Sequence, residues 1–64
     1  MFWVFDGGKY KSSIFTGDKH FEIVLSGINY KLTLFDFGEP IRTELLDSFE
    51  SAKNLAERWR WRET

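Results

Sequence analysis

The chain has 64 residues, no cysteine, and nine Lys and Arg against ten Asp and Glu, a formal charge of -1. Those numbers exclude a disulfide framework and a thiolate zinc site, and they argue against a domain built chiefly to hold phosphate backbones. A chain this short buries only about 60% of its unfolded surface, so residues 1–64 read as one domain with an aromatic-rich core. Seven Phe, three Trp and two Tyr are available for it, each able to bury roughly 150–250 Å².

The opening run Met1-Phe2-Trp3-Val4-Phe5 is far shorter than the roughly 20 residues that span a bilayer and lacks the basic flank of a signal peptide. A cytoplasmic protein that does not enter membranes is expected. Two-residue periodicity then governs the chain to about Leu46. Phe2 to Phe5 reads as a first strand, apolar on both faces, ended by Asp6-Gly7-Gly8. Asp-Gly and Gly-Gly accept the positive φ angles of a tight hairpin, so Lys9 to Phe15 folds back as a second strand. Thr16-Gly17-Asp18-Lys19 is the next turn. His20 to Leu25 follows, with Phe21, Ile23 and Leu25 inward.

Ser26-Gly27-Ile28-Asn29 turns the chain again, and Tyr30 to Leu34 places Tyr30, Leu32 and Leu34 inward. Phe35-Asp36-Phe37 breaks the alternation: either a bulge resets the register or two phenylalanines lie outside the main core. Gly38-Glu39-Pro40 reads as a bend. Pro40 cannot donate to a ladder, so Ile41 to Leu46 is a short edge strand or extended segment.

From Asp47 the period becomes helical. Ser48 is the expected N-cap, with Glu50 in the first turn, although Asp47 with Glu50 could form a capping box instead. Phe49, Ala52, Leu55, Ala56 and Trp59 gather on one stripe. The fold class is therefore α+β: an antiparallel meander of four or five strands in one layer, with one C-terminal helix across a face. Strand order stays open, because five short strands admit more than one antiparallel arrangement.

No constellation in the sequence specifies catalysis, and a non-catalytic protein without cofactor or metal is expected. His20 is the one histidine and reads as an exposed strand-end residue with no nucleophile–base–orienter geometry around it. Gly7-Gly8-Lys9-Tyr10-Lys11-Ser12 lacks phosphate-loop spacing and leads into a strand, not a helix. One His and scattered carboxylates give no zinc or calcium pattern.

Binding is the remaining class. Charge is polarised: between Leu34 and Glu57 the acids Asp36, Glu39, Glu44, Asp47, Glu50 and Glu57 face only Arg42 and Lys53, while the closing "ERWRWRET" is rich in arginine. Arg58, Arg60 and Arg62 suit the negative end of a helix dipole. They leave Trp61 unexplained, because it falls roughly 160° from Trp59 around the axis. The leading expectation is a small regulatory or inhibitory factor, of the kind frequent in phages and mobile elements. It would bind a protein partner through Trp61, Arg58 and Arg62 and through the outer aromatics Phe35, Phe37 and Trp3, since Trp and Arg dominate interface energetics.

Two alternatives accompany it. A sheet backed by a helix resembles the layout of AP2-type and integrase arm-binding domains, which implies nucleic-acid binding through the sheet; no diagnostic motif of those families is present. The strands offer Lys9, Lys11, Lys31 and Arg42 for that purpose, interrupted by Glu22 and Glu44. The other alternative is a homodimer that covers the open sheet face.

Overall fold

The computed structural model describes residues 2–13 and 18–63. It contains β1 (Val4–Asp6), β2 (Lys9–Ser13), β3 (Lys19–Ser26), β4 (Asn29–Asp36), β5 (Glu39–Leu46) and α1 (Phe49–Glu63). The strands form one antiparallel sheet in sequence order, each paired with the next. With α1 packed on one face, this is the two-layer α+β meander expected from the sequence.

Tight turns set the register. Gly7 and Gly8, at φ 59° and 82°, close Asp6 on Lys9, the double-positive pattern of a type I′ hairpin. Gly27, at φ 63°, leads the Gly27-Ile28 turn between Ser26 and Asn29. The turn between β4 and β5 differs from expectation. It is Phe37-Gly38, at φ 52° and 80°, and it joins Asp36 to Glu39. Glu39 and Pro40 therefore belong to β5 and not to a bend, and the turn chemistry has moved one residue upstream onto a phenylalanine.

The register places Phe21 opposite Leu34 and Ile23 opposite Leu32, and all four are fully buried. α1 lies over β3, β4 and β5. Ala52 and Ala56, with no exposed surface, bring its backbone close to the sheet, and Trp59 fills the space beside them against Phe21, ring centroids 6.4 Å apart. At the other end of the helix, Phe49 sits among Trp3, Tyr10 and Tyr30 at 6.5, 4.5 and 6.1 Å. The expected helical stripe thus faces the sheet. Ser48 is the cap: its Oγ accepts from the Ser51 N–H at 3.1 Å and its carbonyl from the Ala52 N–H at 3.1 Å.

Two placements depart from expectation. The first strand begins at Val4, not Phe2. Leu25 is on the helix face opposite Tyr30, yet it is 61% exposed, while Phe49 packs on Tyr30 at 6.1 Å. Of the two expected causes for the break in alternation, the second holds: β4 keeps its register against β3 through Asp36, and Phe35 and Phe37 lie outside the core. The bulge lies instead in β5, where Ile41 is inserted between the Leu34–Arg42 and Phe35–Pro40 pairs. The expected second strand runs on to Phe15, and the turn after it includes Thr16 and Gly17; residues 14–17 are outside the described residues.

Candidate functional site

The face of the sheet turned away from α1 follows from the pairing, since directly opposed residues share a face. Lys11, Glu22, Thr33 and Thr43 form one row across it, and Lys9, Val24, Lys31 and Leu45 the next. Arg42 and Glu44 alternate onto the helix face, where the Arg42 guanidinium stacks over Trp59 at 4.9 Å. The open face therefore carries Lys9, Lys11 and Lys31 without Arg42, and with Glu22 as the carboxylate in its middle row.

Glu22 is the centre of a small polar network. Its Oε1 lies 3.2 Å from Lys9 Nζ and its Oε2 lies 3.1 Å from His20 Nε2. The His20 ring in turn stacks on Phe35, centroids 4.8 Å apart and planes within 5°. His20 is thus half-buried and engaged, not the exposed strand-end residue expected. Beside Glu22, the Thr43 hydroxyl donates to Thr33 Oγ1 at 3.5 Å. Burial by itself raises the Glu22 pKa, but the hydrogen bonds and positive charges of His20 and Lys9 outweigh it and hold the carboxyl below its ordinary 4.5.

A carboxylate with a depressed folded pKa stabilises the fold above its unfolded pKa, and that contribution fades as pH falls through the folded value. Glu22→Gln is expected to cost about 1 kcal/mol near pH 7, and progressively less below 4.5. Urea unfolding of both proteins across that range checks it. A difference that stays constant down to about pH 3 means that the charge of Glu22 contributes nothing to it.

The second surface lies at one end of the molecule. α1 starts at Phe49 above Tyr30 and passes Trp59 above Phe21, so it runs in the same direction as β4, toward the Phe37-Gly38 turn. Trp61 follows Trp59 on the far side of the helix and is 74% exposed. Arg58, Trp61 and Arg62 are three and four residues apart, hence neighbours on one helix face, and all three are exposed. Arg60 lies over the Trp61 ring at 5.6 Å and pairs with Glu57 at 3.4 Å. At the same end, Phe37 is 76% exposed, and its N–H donates to the Asp18 carbonyl at 2.9 Å.

The six residues singled out in the sequence are thus divided. Phe37, Arg58, Trp61 and Arg62 share one end of the protein. Phe35 is half-buried in the open face under the His20 ring. Trp3 is not an outer aromatic: it packs on Phe21 at 6.4 Å and Phe49 at 6.5 Å, in the seam between helix and sheet. Nor do the apolar residues of β1 adjoin Phe35, because β2 and β3 stand between them. The Lys9–Glu22–His20–Phe35 network escaped sequence reasoning because it depends on cross-strand register.

Among the described residues no group of three His, Cys, Asp or Glu is placed to hold a metal ion, and no helix is long and apolar enough to cross a membrane. Comparison with protein-family models, curated proteins and solved structures yields no match for this chain.

Proposed function

We propose that the chain is a non-catalytic protein-interaction module, a small regulatory or inhibitory factor that docks a protein partner on the end bearing Phe37, Trp61, Arg58 and Arg62. Phe37 carries this reading. A bulky aromatic at positive φ is a backbone outlier, and here φ is 52° at a turn position that leaves most of the ring in water. Strained residues of that kind cluster at functional positions. With a second large aromatic exposed beside arginines at the same end, the chemistry suits a partner with an apolar cleft rimmed by carboxylates. A cytoplasmic setting accompanies the proposal.

The test is a nuclease-treated pull-down from host extract, comparing the wild type with the Phe37→Asn/Trp61→Ala double variant. A partner retained by the wild type and lost by the variant supports the module. Equal recovery by both proteins rejects this surface.

A second reading is favoured by one observation: Lys9, Lys11 and Lys31 share the open face with the flat His20–Phe35 stack, while Arg42 and Glu44 face the other way. We infer from it a single-stranded nucleic-acid surface as the alternative. Binding would then weaken steeply with salt, and no affinity for DNA or RNA at low salt ends it.

A further inference from the structure

We propose that β5 is the seam of a homodimer, in which a second copy of this chain lays its own β5 antiparallel to the first and extends the sheet across the join. β5 is the last strand of the sheet and eight residues long, with every side chain from Glu39 to Leu45 exposed. The opposite edge, β1, has only three residues. A long edge offers unpaired backbone donors and acceptors, and proteins usually blunt it with proline or a bulge. Here Pro40 and the bulge at Ile41 blunt only the first part. From Arg42 to Leu46 the edge is regular.

The direction of the backbone groups follows from the turns. A two-residue turn closes on a hydrogen-bonded pair, and bonded and non-bonded pairs then alternate. Counting from Ser26–Asn29, Asn29, Lys31 and Thr33 bond toward β3, so Tyr30 and Leu32 bond toward Leu46 and Glu44 of β5. Thr43 and Leu45 consequently turn their N–H and C=O groups outward.

One register suits a second copy. A two-fold axis through Thr43 makes each Thr43 bond its counterpart through both backbone groups. Arg42 then faces Glu44 of the second copy, twice, in the non-bonded pairs where side chains come closest. Ile41 faces Leu45 of the second copy on the open face. Arg42 is already fixed on the helix face by its stack on Trp59. Centring the axis on Arg42 or Glu44 instead sets like charges directly opposite each other in the central non-bonded pair, where side chains come closest. The two helices, each over its own sheet, stand about three strand spacings apart, roughly 14 Å, clear of the 8–10 Å contact distance of packed helices. A small domain with a limited core also gains most from such association.

Sedimentation equilibrium of the full chain tests this. The wild type is expected to dimerise. Glu44→Arg puts like charges across the seam and weakens the dimer about tenfold or more, while the charge swap Arg42→Glu with Glu44→Arg restores it. Thr43→Pro removes an outward donor and gives monomer, with circular dichroism confirming that each variant is folded. Amide exchange at Thr43 and Leu45 of the wild type should slow as concentration rises. A wild type that stays monomeric at its solubility limit overturns the proposal. So does a Glu44→Arg protein that dimerises undiminished, or exchange at those two amides that ignores concentration. Phe37→Asn and Trp61→Ala should leave the dimer intact, which keeps this seam distinct from the partner-binding end.

Discussion

Trp59→Ala is expected to remove most of the stability of the domain, and Trp61→Ala almost none. Trp59 is only 6% exposed and packs on Phe21 beneath Arg42. Truncating a buried tryptophan costs about 3–5 kcal/mol, against a total of roughly 3–10 kcal/mol for a domain of this length. At about 4–8 °C per kcal/mol, the thermal midpoint drops by more than about 12 °C or the transition disappears. Trp61, two residues on, has no core to leave. Thermal unfolding followed by circular dichroism separates the two. A loss for Trp61→Ala comparable to that of Trp59→Ala places the ring in packing and removes it from the proposed docking end.

Phe37→Asn is expected to raise stability while abolishing partner binding. Asn tolerates the left-handed region far better than Phe, and Asn-Gly is the preferred pair for a type I′ turn. Relief of that strain contributes about 1 kcal/mol, a rise of several degrees in midpoint. The ring being lost is mostly in solvent, so little packing opposes the gain. Opposite signs for stability and binding are what a residue retained for recognition produces. A destabilised Phe37→Asn protein means the ring packs, and the backbone strain then marks no interface.

The layers, the helical stripe and the Ser48 cap were legible because each rests on local periodicity or capping chemistry. Phe49, Ala52, Leu55, Ala56 and Trp59 recur at helical spacing, and Phe21, Ile23, Leu32 and Leu34 alternate. The β4–β5 turn lies one residue upstream of its expected place because Phe37 occupies a position where turn chemistry prefers Asn or Gly, so Gly38-Glu39-Pro40 carried the stronger signal. Trp3 was misassigned for a different reason. In a strand apolar on both faces, alternation does not say which face is inward, and Phe49, forty-six positions away in the sequence, decides it. Trp61 and the arginines beside it were legible, since helical geometry alone turns Trp61 away from Trp59. The Lys9–Glu22–His20–Phe35 network needed the register of β2, β3 and β4.

The strand order has a kinetic consequence. Because each strand pairs only with its neighbours in sequence, every ladder forms by closing a short loop, and ladders of that kind assemble quickly for a β protein. The β3–β4 hairpin holds the four fully buried large side chains, so folding should begin there and be committed when α1 docks. β1, with three residues and no helix above it, adds last and exchanges its amides first.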